Sequence, residues 1–178
     1  MHIQLLTNNL VLKSFEDMMF SDFCEFRFDE NIMKWADADI ELSREQIFSQ
    51  YLSNDYWAIC LKENNKLIGY IKLYPGDNHM NKTWKMGCVL SPCFRGKGYI
   101  DEALNTLFAY AFENYDLHRI TCLCDCENLS SVKMLKRIGF RLEGEYKQCY
   151  LLNNQWRDEY YFALLYEDYK HSTKEKEK

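Results

Sequence analysis

The chain has 178 residues, 47% of them hydrophobic and 16% aromatic, with 22 Lys and Arg against 27 Asp and Glu for a formal net charge of −5. That apolar supply suffices for one domain core without disulfides or structural metal, and 7 Gly and 2 Pro without any period exclude collagen-like and linker-like chains. The negative balance speaks against a nucleic-acid binder, whose affinity rests on a basic surface that neutralises phosphates. No apolar run approaches the roughly 18 to 20 residues needed to cross a bilayer, and the first residues lack the charged, apolar and small-residue succession of a signal peptide. No membrane partner is expected, and the expected compartment is the cytoplasm. There the eight cysteines are read as reduced thiols packed as small hydrophobes. Cys122, Cys124 and Cys126 alternate along one strand face, but without a CxxC pair or HxxxH they are not expected to hold a metal.

In chain order, LVLKSF around Leu10 reads as a short strand, followed by an aromatic-rich helical region from Glu16 to Phe26. Phe20, Phe23, Phe26, Phe28 and Trp35 are read there as core. Ser43-Arg44-Glu45-Gln46 has the form of a capping box, in which Ser43 accepts from a free N–H and Gln46 reaches back, so a second helix starts there and ends near Asn54. WAICLKENNKLIGYIKLYP is two β-rich runs split by the polar turn Glu63-Asn64-Asn65-Lys66, the mark of a hairpin. WKMGCVLSP adds a strand stopped by Pro92. Ile100, Ala103, Leu104, Leu107, Phe108 and Ala111 form one helical stripe between Gly98 and Tyr115. A strand over Arg119 to Asp125, a helix over Ser130 to Ile138 ended by Gly139, and strands over Phe140 to Leu152 and Trp156 to Tyr166 complete the pattern. The strand-helix alternation of the middle predicts an α/β fold, and the flanking hairpins make its sheet mixed. One domain is expected over residues 1–168, with a charged, flexible tail over 169–178.

Arg95-Gly96-Lys97-Gly98-Tyr99 lies between a strand end and the start of the best helix. Successive N–H groups without bulky side chains point there, where the helix dipole also favours an anion, so the segment reads as a phosphate cradle, or more plainly as a turn that needs positive φ. Neither the dinucleotide fingerprint nor the P-loop pattern is met. Asn128-Leu129-Ser130-Ser131 opens the next helix at the carboxyl edge of a strand, where ligands of open α/β sheets gather and where a helix cap is equally at home.

Together these segments resemble the GCN5-related N-acetyltransferase (GNAT) superfamily, in the branch of ribosomal-protein N-terminal and spermidine acetyltransferases. The resemblance runs from LVLKSF through GCVLSPCFRGKGYIDEALNTLFAYAF and CENLSSVKMLKRIGFRLEGEY to NNQWRDEYYFALL, in family order and spacing. It implies a single-domain GNAT-like fold with a mixed, mostly antiparallel central sheet flanked by helices. It also implies acetyl-CoA as cosubstrate and a primary amine as acceptor. On that resemblance Arg95, Gly96, Lys97, Gly98 and Tyr99 hold the pyrophosphate, Val89 and Leu90 pair their backbone with the pantetheine arm, and Asn128 and Ser131 approach the sulfur. Three positions depart from the pattern: Ile100 replaces the usual Ala or Gly, Lys85 stands where the branch often carries a Glu base, and Leu135 replaces the Tyr that many relatives use as an acid.

An amide-forming transfer from a thioester needs a neutral amine, a stabilised oxyanion and a protonated leaving thiolate. Ser131 is the candidate for the last of these, a backbone N–H near Val89 and Leu90 for the second, and a water relay to Asp125 or Glu145 for the first. An N-terminal α-amine, with its lower pKa, is the expected acceptor; a polyamine or other small amine, and a non-catalytic acyl-CoA-binding module, are the alternatives. The exposed cysteines and tyrosines expected on the terminal strands are compatible with a homodimer.

Overall fold

A computed structural model describes residues 3–35, 42–53, 55–76 and 82–176. Its strands are β1 (Leu5–Leu6), β2 (Leu10–Lys13), β3 (Tyr56–Leu61), β4 (Leu67–Pro75), β5 (Thr83–Leu90), β6 (Arg119–Asp125), β7 (Arg141–Leu152) and β8 (Gln155–Leu165). Its helices are α1 (Phe20–Arg27), α2 (Glu30–Met33), α3 (Arg44–Tyr51), α4 (Tyr99–Asn114), α5 (Leu129–Ile138) and α6 (Tyr166–Lys176). The strands hydrogen-bond in the order β1-β2-β3-β4-β5-β6-β8-β7. Pairing is antiparallel at β1–β2, β2–β3, β3–β4, β6–β8 and β7–β8, and parallel at β5–β6 over Thr83↔Arg119 to Lys85↔Thr121. This is the mixed, mostly antiparallel α/β sheet that the sequence implies.

Local signals explain most element boundaries. Ser43 Oγ accepts from Gln46 N–H at 3.2 Å and Gln46 Oε1 from Ser43 N–H at 2.8 Å, so the capping box is complete. Asn65 adopts φ 58° in the β3–β4 turn, and Asn64 Oδ1 accepts from Lys66 N–H at 3.0 Å. Asn153 and Asn154, at φ 50° and 60°, make the two-residue turn between β7 and β8, where paired left-handed residues match the strand twist. The short α2, capped by Asp29 on Asn31 N–H, and β1 were not expected.

The chain divides into two compact units, Met1–Leu73 with Gly87–Leu107, and Tyr74–Met86 with Phe108–Lys178, whose boundaries pass through β4, β5 and α4. In the first unit Phe23 and Phe26 lie in the buried core and Phe20 and Phe28 pack against it, as expected, while Trp35 is half-buried and outside that cluster. Phe23 has no exposed surface, and its ring centroid lies 4.7 Å from Tyr51, 5.2 Å from Phe48 and 6.3 Å from Phe15. The second unit buries Phe108, Ile120, Leu135, Phe140, Phe162 and Leu164. The expected tail is corrected in part. Helix α6 runs through the boundary at residue 168 to Lys176, and Tyr166 and Tyr169 set their rings 5.4 and 5.1 Å from Phe112. Two tyrosines anchor a segment whose charged composition hides them.

The Phe23 cluster generates a direct test. Replacing a fully buried Phe with Ala in such a cluster removes transfer energy and leaves a cavity, a loss of about 3–5 kcal/mol. Urea unfolding of Phe23→Ala should show that loss without a change in the slope of the transition.

Candidate functional site

The first unit carries Arg95 to Tyr99, the segment expected to form a phosphate cradle. Strand β4 approaches the end of β5 so closely that a Cβ on Gly69 would lie 2.4 Å from the Val89 carbonyl oxygen, and Ser91 N–H donates to Ile68 O at 2.8 Å. Glycine is therefore required where β4 flanks Val89 and Leu90.

Beyond β5, a single tight turn over Pro92–Phe94 leads to Arg95, whose Nε donates to Leu90 O at 3.2 Å. The side chain that opens the cradle is thus tied to the end of the strand. Gly96 and Gly98 have φ of 76° and 80°, which an L side chain rarely adopts, and a Cβ on either would meet nothing within 4 Å. The backbone at both glycines faces open space, and Lys97 places its ammonium 5.4 Å from the Phe94 ring centre. Arg95 to Gly98 are exposed, and Tyr99 begins the 16-residue helix α4. Two cations, two side-chain-free backbone positions and a long helix start fit a pyrophosphate.

Glu102, one turn into α4, receives Asn9 N–H at 2.7 Å and Asn9 Nδ2 at 2.9 Å, which ties the β1–β2 turn to the same helix start. Burial raises its carboxyl, but bonds from Thr7, Asn9 and Asn8 outweigh that and hold it below the usual range.

The second unit holds Asn128 and Ser131. Asn128 caps α5: its Oδ1 accepts from Ser131 N–H at 3.3 Å and from Ser130 Oγ at 2.9 Å. The cap reading of this segment therefore holds. Ahead of it, Asp125 ends β6, 7% exposed, and accepts from Arg157 Nε at 2.9 Å, Arg157 Nη2 at 3.1 Å, Tyr150 Oη at 2.6 Å and Glu127 N–H at 2.7 Å. Burial raises this carboxyl, yet the Arg157 and Tyr150 bonds and the Glu127 N–H together hold it below its ordinary value. Asp125 is thus a committed acceptor and a poor general base. Glu145, the other carboxylate considered for a relay, receives Lys147 Nζ at 2.7 Å.

Cys124 is buried, and burial, followed by Asp125, pushes its thiol up to about 12. Partial burial and then Glu145 raise the thiol of Cys126. Among the described residues no group of three or more His, Cys, Asp or Glu side chains is placed to hold a metal ion. Leu135 is 1% exposed and packs in the core, while Lys85 is half-buried opposite Thr121.

Residues 9–141 match the family described as the acetyltransferase (GNAT) domain. The chain belongs to the GNAT acetyltransferases. An uncharacterized N-acetyltransferase of Bacillus subtilis (strain 168), YnaD, is 33% identical over 175 residues, which cover 95% of this chain and 99% of the relative. Shorter matches join this GNAT chain to two Escherichia coli (strain K12) enzymes. The ribosomal-protein-serine acetyltransferase is 31% identical over 103 residues, 58% of this chain and 57% of the relative. The spermidine N(1)-acetyltransferase is 26% identical over 92 residues, 52% of this chain and 50% of the relative. Among solved structures, a GNAT-family acetyltransferase from Bacillus anthracis superposes with a TM-score of 0.82 at 29% identity, covering 93% of this chain and 99% of that one. The chain is thus an N-acetyltransferase by family, and the GNAT fold takes its acetyl group from acetyl-CoA. Among the described residues no helix is long and apolar enough to cross a membrane.

Sequence reading missed Gly69, Glu102, Tyr150 and Arg157. WRDEYYFALL drew attention as a family ending, but only the structure shows what its arginine touches.

Two predictions follow from the geometry. Gly98→Asp puts a carboxylate at the cradle in a strained conformation, but with nothing within 4 Å of the new Cβ the fold should persist. Titration calorimetry should find CoA binding lost, with circular dichroism unchanged. The second concerns Asp125. Because its folded pKa is depressed, its stabilisation is present above the unfolded carboxylate value of about 3.9 and is lost as pH falls through the lower folded value. The stability gap between wild type and Asp125→Asn should be widest near neutral pH and close below about pH 3.9; a gap unchanged at lower pH would contradict the pairing.

Proposed function

We propose that this GNAT enzyme transfers the acetyl group of acetyl-CoA to the α-amine of a protein N-terminus in the cytoplasm, a compartment that keeps the eight free thiols reduced. The observation that carries the acceptor choice is the state of the carboxylates and of the positions where the family keeps its base and acid. Asp125 is spent on Arg157 and Tyr150, Lys85 is cationic chemistry in place of a Glu, and Leu135 is an apolar core residue in place of a Tyr. An α-amine, with a pKa near 7.7 to 8, arrives partly neutral and asks little of a base, whereas an alkyl amine near 10.4 asks much. The partial match to a ribosomal-protein-serine acetyltransferase supports the same reading. A polyamine acceptor is the second reading, favoured by the net charge of −5 and by the partial match to a spermidine acetyltransferase.

In the proposed mechanism Arg95, Lys97 and the backbone at Gly96, Gly98 and Tyr99 neutralise and orient the pyrophosphate. Val89 and Leu90 offer backbone groups to the pantetheine arm, and an N–H at that strand end receives the oxyanion as the neutral amine attacks the thioester carbonyl. A C–N bond forms, the amine proton leaves to water, and the C–S bond breaks. Ser131, the assigned catalytic residue, donates its hydroxyl hydrogen bond to the departing thiolate, with Asn128 shaping the helix start beside it.

The test is a comparison of initial rates at pH 7 for peptides with a free N-terminus, peptides offering only lysine side chains, and spermidine. The free N-termini should react fastest, with rates rising through the α-amine's own pKa, and Ser131→Ala should lower kcat more than it raises the acetyl-CoA KM. Preference for spermidine or lysine side chains would overturn the α-amine reading and leave the family assignment standing. Stoichiometric CoA binding without turnover of any amine would favour a binding module.

A further inference from the structure

The buried cluster at the end of β6 does more than neutralise a charge. Asp125 Oδ1 accepts from Glu127 N–H, and the carbonyl of the same residue accepts from Asn128 N–H at 3.0 Å, so one residue holds two N–H groups of the turn that follows it. Arg157 spans the turn, with Nη2 bonded to Asp125 Oδ1 at 3.1 Å and to Glu127 Oε2 at 2.8 Å. Cys126 N–H donates to Asp158 O at 3.0 Å, which attaches the turn to β8 through its backbone as well. Tyr150 and Arg157 are a cross-strand pair of β7 and β8, beside the register shift between Tyr146 and Tyr150, so both donors come from one place on the hairpin. The turn thus fixed delivers Asn128, whose Oδ1 sets the start of α5 and the N–H of Ser131.

A buried ion pair is weak evidence for stability, since apolar residues of similar volume often serve as well; what a two-pronged guanidinium–carboxylate bond adds is direction. We propose that Asp125, Arg157 and Tyr150 are positioning residues that set the turn Asp125-Cys126-Glu127-Asn128 and, through it, the aim of Ser131 at the thioester; this rests on the role given to Ser131 above. None of the three touches the reacting atoms. Their effect reaches the chemistry through the turn.

The experiment is a set of double-mutant cycles read in kcat and acetyl-CoA KM, with Asp125→Asn, Arg157→Lys and Tyr150→Phe each combined with Ser131→Ala. Arg157→Lys keeps the charge but gives up the two-pronged bond, and Tyr150→Phe removes one hydroxyl, so the latter carries the test if Asp125→Asn does not fold. Each single variant should lower kcat by about tenfold or more, as expected for a misaimed group, and leave the acetyl-CoA KM within about twofold. In the Ser131→Ala background the same variants should cost little further, because the group they aim is gone. Losses of equal size with and without Ser131, or losses confined to KM, would overturn the positioning role while leaving Ser131 in place. A Ser131→Ala enzyme with unchanged kcat would overturn the role of Ser131 itself, and the proposal with it.

Discussion

The opening N–H groups of a helix have no partners inside it, and the two helices that follow β5 and β6 meet that constraint in opposite ways. At α5 one of these groups is met by a side-chain cap, because Asn128 Oδ1 accepts from Ser131 N–H while also receiving the Ser130 hydroxyl. At α4 the residue before Tyr99 is Gly98, which has no side chain to accept anything, and Gly96 two residues earlier has none either. One helix start carries its own side-chain cap; at the other the residue ahead of the helix offers none, which suits the anion proposed for it. The same local problem at two strand-to-helix junctions thus separates a capped helix start from one proposed to receive a phosphate.

Burial of charge is the second constraint, and the second unit pays for it at one point. Asp125 gathers four hydrogen bonds from three residues, two of them on the β7–β8 hairpin. With the Arg157 guanidinium, the Tyr150 hydroxyl and the Glu127 N–H bonded to it, the carboxylate is stabilised in its ionised form and its basicity falls. The geometry that makes the residue a good anchor makes it a poor base. The same bonds make Asp125 an unfavourable end for the water relay considered from its place at a strand end.

Legibility in the sequence followed the range of the interaction. In the helical stripe Ala103, Leu104, Leu107, Phe108 and Ala111 are fully buried as the spacing implies, with Ile100 at its start half-buried, and the capping box at Ser43 depends on residues three apart, so both were readable. The proposed phosphate cradle is marked in the sequence because its glycines, cations and helix start are contiguous. Nothing local marks Arg157 as the partner of a residue 32 positions away, or Glu102 as the anchor of Asn9 93 positions away. Nothing in the sequence around Gly69 marks its close approach to the Val89 carbonyl. Helix α6 was misread because two tyrosines hold a segment whose average composition is that of a tail. Composition averages over the residues that decide.

Lys85 brings the electrostatic argument together. A net charge of −5 attracts cations over distances comparable with the screening length, about 10 Å at moderate salt, without selecting among them. Selection falls to short range, and the position where the resemblance implies a proton acceptor holds a half-buried lysine, Lys85, registered with Thr121 of β6. A cationic side chain lowers the pKa of an incoming ammonium nearby, so it helps deprotonation without accepting the proton itself. For an α-amine that push is sufficient, because its pKa lies near neutrality. For a polyamine it is insufficient for the reacting nitrogen, and it acts against every other charge the molecule carries. On the reading proposed above, a lysine in place of a Glu base favours amines that are close to neutral already, which is the chemical ground on which a protein N-terminus and a polyamine would part company.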